Sequence, residues 1–586
     1  MKRNYTLVLT NQYQDVKSDQ HLLTFNTKKP FSKLNFNFET ISFQELSKKE
    51  IYNRYEFCDK IYNSLFQELV IKLNFLHGIS YSSRSWSVII GTWLREFIQK
   101  NYKIFIQLEY VFKNYNITKV HALDHKDYNF CVNDTISFRH ICADEEWFYL
   151  MCSKMTRYFN YSQNILLNSP KNNSYKIPSI FEEKKNQNNF IKKKIFKFFF
   201  IITKILKFFI RVENYAVIKN TYLPFLYEKM LELKFNQIPL NWPEYKINYY
   251  KKDKNLRSDF NLKIDKENSI FENYLRTNLF EFLPKHVLEN FINIKEKSES
   301  GIYPKNPKFI FTSGSFLYDE VFKAYAAGSI NKKIPFYIGQ HGNNYFTQIH
   351  HNYVPELKFA DKFITWGTKK NYNFESAFNF KILGRSHIPK NEGKLIIMFP
   401  WVSRASYYLH TDENEILNKI QSNINVIKKL NLHIKKNTIL RFNRSYYENF
   451  FGIKYIDLFK DLGVECDNGS NDIRNLFKKS RLTLFTYDST GILENFNLNI
   501  PTIFFEEKKF MKNINDDYIN KYTQLLNNKI MFTSEKDLVE HINLKWNNIS
   551  DWWMNEDNQR VISEFNIDFN NKSSKQSLNK LKKILN

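Results

Sequence analysis

Strand-like and helical segments alternate through the C-terminal half of this 586-residue chain. From Lys308 onward, short apolar runs bounded by turn residues are followed by stretches with helical spacing of apolar residues. Such alternation is typical of parallel β-sheets with helices on both faces. The segment RSHIPKNEG near residue 385 separates two such arrays. The sequence therefore predicts an α/β protein with two facing doubly wound, Rossmann-like domains, residues 1–385 and 386–586.

The N-terminal domain is expected to carry a large helical elaboration over about 45–300, after strands and loops in residues 1–40. Helical apolar spacing begins near Ser47. The stretch 82–108 is too continuously apolar for a surface helix and predicts a buried core helix. Arg84 and Arg95 interrupt it and argue against a membrane span.

A second apolar stretch, IKKKIFKFFFIITKILKFFIRV at 191–212, follows a polar interval that reads as a loop or linker. Two interpretations stay open. The stretch is either an amphipathic helix in a membrane interface, with lysines at the lipid phosphates, or a long core helix whose lysines reach solvent.

The composition limits the partners and the compartment. Lys plus Arg outnumber Asp plus Glu by 86 to 60, a net charge of +26 that favours phosphate-bearing partners or an anionic membrane. No nucleic-acid-binding motif accompanies the charge, so we expect no nucleic-acid partner. Five scattered cysteines without a C-x-x-C pair predict neither disulfides nor a zinc site. The first residues lack the pattern of a signal peptide, so we expect a cytoplasmic protein, peripheral on the inner face of the membrane if 191–212 binds lipid.

The clearest local pattern is a buried strand, LTLFTY, that ends in Asp488, Ser489 and Thr490. These residues favour the start of a helix, and a helix N-terminus at the end of a parallel strand binds phosphate. Glu494, one turn into that helix, is placed to accept the hydroxyls of a ribose. The alternative is a simple helix cap without a ligand.

Arginines follow two neighbouring predicted strands. Arg404 comes after KLIIMFPW, and Arg441 and Arg444 come at the end of NTILRFNR. The carboxyl ends of parallel strands meet at one crevice, where arginines suit a diphosphate or carboxylate. We therefore expect them to bind the donor phosphates; solvated surface arginine is the alternative.

In the N-terminal half, the strand PFYIG delivers Gln340, His341 and Asn343 to its carboxyl end, and TSGS places Ser313 and Ser315 after the neighbouring strand. Histidine transfers protons near neutral pH, so His341 is the candidate catalytic residue, with a packing role as the alternative. The other four are candidate acceptor-side residues. His350 and His351 are predicted to be surface residues. His121 and His125 lack a third ligand, so we expect no metal and no cofactor beyond the substrates.

The ordered series SRSWSVIIGTWL, DEEWFYL, SGSFLYDEVFKAYA, GQHGNNY, FITWG, ILRFNR and DSTGILENFNLNIPTIFFE resembles a family of bacterial transferases from surface-polysaccharide gene clusters. The two facing doubly wound domains resemble the GT-B class of glycosyltransferases. The HG and DST…E…P boxes are similar to those of polyglycerol-phosphate polymerases and of capsule transferases that use cytidine-activated sugars. Asn343 and Phe346 stand where that family has glycines.

The resemblance implies a glycosyltransferase that moves a sugar from a nucleotide-activated donor, such as a CMP-activated acidic sugar, to a surface polysaccharide or lipid-linked glycan. It assigns His341 to the HG box, Arg441 to the strand-end arginine, and Ser489, Thr490 and Glu494 to the donor box. Two alternatives stay open: a glycerol- or ribitol-phosphate transferase of similar fold, and a nonenzymatic protein that binds membranes or nucleic acid through its basic surface.

Overall fold

The fold is taken from a computed structural model of the chain. It describes residues 3–10, 21–25, 38–174, 198, 201–202, 215–238, 240, 242, 245–258, 260–343, 345–368, 373–388, 392–399, 408–411, 415–442, 455–469, 471–574 and 576–586. Arg404, Arg444 and most of the predicted 191–212 helix lie outside these residues.

The described strands form three parallel sheets. The first sheet has the order β3-β2-β1-β4-β5, with β1 Asn4–Leu9, β2 His21–Thr24, β3 Phe38–Thr40, β4 Asn116–Leu123 and β5 Ile165–Asn168. The second has the order β10-β9-β8-β7-β6, with β6 Val217–Ile218, β7 Ile310–Thr312, β8 Phe336–Gly339, β9 Lys362–Thr365 and β10 Phe374–Ser376. The third has the order β13-β12-β11-β14-β15-β16, with β11 Lys394–Met398, β12 Thr438–Arg441, β13 Glu465–Asp467, β14 Ser480–Phe485, β15 Thr502–Phe505 and β16 Met531–Phe532.

The helices pack against these sheets and against one another. In the part of the chain before the third sheet they are α1 Lys48–His77, α2 Ser83–Trp86, α3 Thr92–Asn114, α4 Thr135–Ile141, α5 Glu145–Tyr158, α6 Phe225–Lys234, α7 Lys254–Ser258, α8 Ile270–Phe282, α9 Phe291–Glu299, α10 Ser315–Tyr318, α11 Glu320–Asn331 and α12 Glu356–Phe359. A π-helical turn, Ser87–Gly91, joins α2 to α3. In the rest of the chain they are α13 Glu415–Lys429, α14 Leu432–Lys436, α15 Ile473–Lys478, α16 Thr490–Leu498, α17 Ile519–Asn527, α18 Glu535–Lys545, α19 Ile549–Trp553, α20 Glu556–Phe569 and α21 Ser577–Leu585.

The helices of the N-terminal half begin where local chemistry favours it. Ser47 and Glu50 form a reciprocal capping box at the start of α1. The predicted core helix 82–108 is confirmed as α2, the π-helical turn and α3, and most of α3 is buried. Sixteen residues of α3 are buried, including Arg95, Glu96 and Lys103. A helix this enclosed needs partners for its charges, and Glu96 pairs with Arg139 at 2.5 Å.

The first sheet extends the predicted organisation of the N-terminal half. That half was expected to be one doubly wound domain with a helical elaboration, whereas residues 4–168 contain a separate five-stranded parallel sheet. Strand β5 of this sheet lies within the polar interval that begins at residue 164, for which the sequence predicts a loop or linker. The sequence did not predict this sheet, because β2, β3 and β5 have three or four residues each, too few to show the apolar–polar alternation of a strand.

The second and third sheets confirm the predicted doubly wound architecture. In β7, Ile310 faces one apolar core and Phe311 faces the other, so both surfaces of the second sheet are covered. Likewise Ile503 and Phe504 of β15 point into different cores. Strands buried on both faces are typical of parallel sheets flanked by helices.

The C-terminal helices return to the second sheet. The backbone N–H of Asn571 donates to the carbonyl of Trp366 at 2.7 Å, and that of Thr368 donates to the carbonyl of Ile567 at 2.9 Å. One apolar core therefore runs from β7 through α16 to α20 and α21. The domain boundary at residue 385 stays a prediction.

Candidate functional site

The loops after β8 and β14 meet, which brings the predicted acceptor and donor residues into direct contact. Asn343 donates its side-chain amide to Asp488 Oδ1 at 2.8 Å, and its backbone N–H to Thr490 Oγ1 at 3.1 Å. Gln348 donates to the other oxygen, Asp488 Oδ2, at 2.6 Å. The strand ends of the second and third sheets therefore share one site.

The orientation of His341 is fixed by two residues from the second sheet's side. Tyr345 donates its hydroxyl proton to Glu356 Oε1 at 2.7 Å, and the same hydroxyl lies 3.0 Å from His341 Nδ1. A hydroxyl has one proton, so its remaining lone pairs accept from Nδ1–H. This tautomer leaves Nε2 of His341 unprotonated, as a general base requires.

The surroundings of His341 keep its imidazole unprotonated. Burial, together with the positive charges of Lys381 and Arg139, lowers the pKa of His341 to about 3. The imidazole is thus neutral throughout the physiological range. Burial, with the neighbouring Glu356 carboxyl, raises the pKa of Tyr345, so the phenol keeps its proton.

Asp488 stands at the centre of a buried polar network. Its backbone N–H donates to Glu506 Oε1 at 3.0 Å, and Glu506 pairs with Lys419 at 2.9 Å. Burial, with the charge of Glu506, raises the pKa of Asp488 to about 7. Asp488 therefore titrates near neutrality while it is hydrogen-bonded to the loop that carries His341.

Ser489, Thr490 and Glu494 all lie in or beside this contact. Ser489 is the N-cap of α16 and accepts from the N–H of Gly491 at 3.2 Å, as the capping prediction requires. Thr490 accepts from Asn343. Glu494 lies 3.8 Å from Lys381 Nζ, which itself lies over the rings of Tyr222 and Trp366.

Arg441 is placed at the carboxyl end of β12, at the same edge of the third sheet as Asp488. Its guanidinium pairs with Asp467 and donates to the carbonyl of Gly469 at 3.2 Å. One edge of the guanidinium is therefore engaged within the protein. The donor roles of Arg441, Arg404 and Arg444 stay predictions.

The other acceptor-side residues are buried behind His341. Gln340 bridges the loop, since it donates to the carbonyl of Gly342 at 2.8 Å and accepts from the N–H of Trp366 at 2.9 Å. The hydroxyls of Ser313 and Ser315 are buried and have no hydrogen-bond partner among the described residues. Ser313 lies against Gly339, where an added Cβ would come within 2.3 Å of its Oγ.

Several residues of the site were not found from the sequence: Tyr345, Gln348, Glu356, Lys381, Lys419 and Glu506. Glu506 could have been identified from the sequence, because it follows β15 at the same edge of the third sheet as Asp488. The others depend on contacts between distant segments. The prediction for His350 was wrong, since this residue is 1% exposed.

Two doubly wound units that meet through their strand-end loops define a GT-B-like transferase fold. The chain belongs to the LIC12162 family of transferases, whose family model matches residues 5–585. It is therefore an enzyme, and the alternative of a nonenzymatic binding protein is set aside. None of the curated protein sequences matches it.

Solved structures show distant similarity over about half of the chain. The wall teichoic acid polymerase TagF, in a variant form with CDPG, is 13% identical with a TM-score of 0.31, covering 50% of this chain and 83% of that one. MurG from Acinetobacter baumannii is 8% identical with a TM-score of 0.27, covering 51% and 77%. WaaG, a glycosyltransferase involved in lipopolysaccharide biosynthesis, is 11% identical with a TM-score of 0.27, covering 51% and 95%.

The described residues contain neither a cluster of metal ligands nor a helix that could span a membrane. No three His, Cys, Asp or Glu side chains within them lie close enough together to hold a metal ion. No helix among them has both the length and the apolar character to cross a bilayer.

Proposed function

We propose that the protein is a glycosyltransferase that moves a sugar from a nucleotide-activated donor to a surface polysaccharide or lipid-linked glycan. The observation that carries this proposal is the unprotonated His341, whose Nδ1 lies 3.0 Å from the Tyr345 hydroxyl and whose loop is bonded through Asn343 to Thr490 at the start of α16. In this reaction an acceptor hydroxyl gives its proton to Nε2 as its oxygen attacks the anomeric carbon.

The departing nucleotide phosphate leaves toward the third sheet. The N-terminus of α16 favours negative charge there, with Thr490 and Arg441 beside it. Glu494 holds the ribose, and Lys381, at 3.8 Å, keeps its carboxylate oriented. We keep the prediction that this requires no metal or other cofactor. A CMP-activated acidic sugar is the donor that we favour, since the basic surface, with a net charge of +26, attracts acidic substrates.

The donor site is tested by thermal stabilisation with CMP, CDP, UDP, GDP and ADP. A nucleotide at about one hundred times its Kd adds about 2.7 kcal/mol to the free energy of unfolding. We expect stabilisation by one base, retained in His341→Gln and lost in Glu494→Gln. Glu540→Gln, on the exposed surface of α18, is the matched control and should behave as the parent protein.

Absence of stabilisation by all five nucleotides in folded protein would overturn the donor assignment. Incubation of the stabilising nucleotide's sugar donor with a glycan acceptor then tests the transfer. Product mass separates the addition of a sugar from the addition of glycerol or ribitol phosphate.

We also propose that the protein works at the inner face of the cytoplasmic membrane. The support is α6, on which Phe225, Leu226, Met230 and Leu233 are exposed on a basic chain. Cosedimentation with anionic vesicles should fall in a Leu226→Glu, Met230→Glu variant. Equal sedimentation of parent and variant would contradict a contact through α6.

A further inference from the structure

A second polar cluster lies beside the site, between α3 and two loops. We call Arg95, Lys103, His350, His351 and His410 the Arg95 cluster. Arg95 and Lys103 come from α3, and the histidines from 349–353 and 408–411. The side chains of Arg95, Lys103 and His350 are 7%, 2% and 1% exposed. Charged and polar groups are rarely buried to this degree without a partner.

Members of the cluster, among them Arg95 and His350, have buried polar atoms without a hydrogen-bond partner among the described residues. Both ring nitrogens of His350 lack a partner within the described part of the chain, as do Arg95 Nε and, one turn along α3, Gln99 Oε1. Arg95 Nη2 donates to the carbonyl of His350 at 3.0 Å, which uses part of the guanidinium. Leaving a buried donor or acceptor unpaired costs about 1–3 kcal/mol for each group. The unpaired groups therefore point to a bound partner.

The electrostatic character of the cluster favours an anion. Burial, with the charges of Lys103, Lys509 and Lys419, lowers the pKa of His410 to about 3. Burial and the neighbouring basic groups, among them Arg95, also lower the pKa of His350. Both histidines are therefore neutral, and the buried cations Arg95 and Lys103 are the groups whose charge an anion would balance.

The cluster is continuous with His341. Ring centroids are separated by 5.2 Å from His341 to Tyr345, 5.1 Å from Tyr345 to His351, 4.2 Å from His351 to His350 and 5.6 Å from His350 to His410. At the other end of this row of rings, the hydroxyl of Tyr55 in α1 lies 3.1 Å from His410 Nδ1. His410 is half-buried, so the cluster reaches the surface there.

We propose that the Arg95 cluster binds a phosphate-bearing group of the acceptor, an inference that rests on the proposed glycosyl transfer. Arg95 supplies a planar donor edge that matches a phosphate, and the two buried cations, Arg95 and Lys103, suit a multiply charged ligand better than a single carboxylate. Arg95 and Lys103 belong to the N-terminal half, on the same side of the site as His341. The donor box lies on the third sheet. A phosphate held at the Arg95 cluster therefore places the attached sugar on the same side of the site as His341.

The test is calorimetric titration of the full-length protein with inorganic pyrophosphate. We expect a loss of affinity of about tenfold or more in Arg95→Gln, where a charged contact is lost, and a smaller loss in His350→Gln, where an uncharged ring donor is lost. The exposed His433→Gln is the matched control and should bind as the parent protein, whereas the donor-box Thr490→Val reports any pyrophosphate bound at the donor site instead. If Arg95→Gln fails to fold, His410→Gln replaces it, because this half-buried side chain is easier to exchange. Parent-like binding in the cluster variants, or loss in Thr490→Val alone, overturns the inference.

Competition identifies the source of the phosphate. An isoprenyl diphosphate in detergent should displace pyrophosphate from the parent protein, and the nucleoside diphosphate that stabilises the donor site should not. Displacement by the nucleoside diphosphate overturns the acceptor assignment. Failure of the proposed function has a different signature: no nucleotide stabilises the protein, while pyrophosphate binding still depends on Arg95.

Discussion

Phe346, in the loop that carries His341, has a backbone φ of 70°. This left-handed conformation suits glycine and costs other residues about 1–2 kcal/mol. The side chain offsets part of that cost, since its ring lies 5.1 Å from Phe374 and 6.2 Å from Phe363. The strained backbone is therefore kept beside the predicted catalytic residue.

A pair of variants separates the backbone strain from the ring contacts. Phe346→Ala and Phe346→Gly both lose the ring, but only the glycine variant relieves the left-handed strain. We expect Phe346→Gly to be the more stable of the two by about 1 kcal/mol, measured by urea unfolding. Glycine is normally the less stable choice, so the reverse order would show that the loop relaxes to a negative φ without its ring.

At the residue scale, the sequence predicted individual residues of the site but not the hydrogen bonds between them. His341 and Asp488 were found because each follows a recognisable strand. The hydrogen bond of Asn343 to Asp488 joins residues 145 apart, and no local pattern predicts such a pairing. Tyr345 is a similar case, since its role depends on Glu356 in a later helix. Arrangements of this kind come from the packing of whole units.

At the scale of elements, strands of the second and third sheets such as β8, β11 and β14 were predicted because each is a short apolar run bounded by turn residues. Two-residue strands such as β6 and β16 carry no such signal, and they exist because a neighbouring strand offers hydrogen bonds. The return of α20 to the second sheet was also not predicted. It depends on a close approach of two backbones that a sequence does not display.

That approach takes place at Gly367, just after β9. A Cβ added there would lie 2.0 Å from the carbonyl oxygen of Asp568, at the end of α20. We expect Gly367→Ala to separate α20 and α21 from the second sheet, because a backbone atom cannot move aside as a side chain does. Hydrogen exchange should then increase over 556–585.

Gly463 provides the matched control for this change. An added Cβ at Gly463 would meet no atom of the described residues within 4 Å, although its φ of 72° makes alanine strained. Gly463→Ala should therefore cost about 1 kcal/mol of stability and leave exchange over 556–585 unchanged. Equal protection of 556–585 in both variants would mean that the docking of α20 does not depend on Gly367.

At the scale of the whole molecule, many histidines are held neutral. The pKa is lowered, with burial the largest cause at each site, for His77, His125, His140, His286, His341, His350, His351, His410 and His541. In the unfolded chain each returns to a value of about 6.5. Their contribution to stability is therefore complete above about pH 6.5 and is lost as the pH falls toward the folded values.

We accordingly expect the midpoint temperature of thermal unfolding to decrease as the pH is lowered from about 7.5 to about 5.5. A fully buried histidine such as His350 lowers the free energy of unfolding by about 1.4 kcal/mol at pH 5.5, because its imidazole is protonated in the unfolded state and not in the folded state. Asp488 acts in the opposite direction. Its pKa is about 7 in the folded protein and near 4 in the unfolded chain. Its contribution to stability is therefore complete below about pH 4 and is lost as the pH rises through 7.

Glu109, Asp144 and Glu356 also have raised pKa values, but four such carboxyls do not offset nine histidines, so the net effect of acid is destabilising. His350→Gln provides the internal control, since glutamine does not titrate and the variant should lose about 1.4 kcal/mol less than the parent between pH 7.5 and pH 5.5. Asp488→Asn should lose more than the parent on acidification, because it lacks the carboxyl whose protonation stabilises the fold at low pH. A midpoint that stays constant or rises toward about pH 5.5 would show that the histidines gain protons within the folded protein.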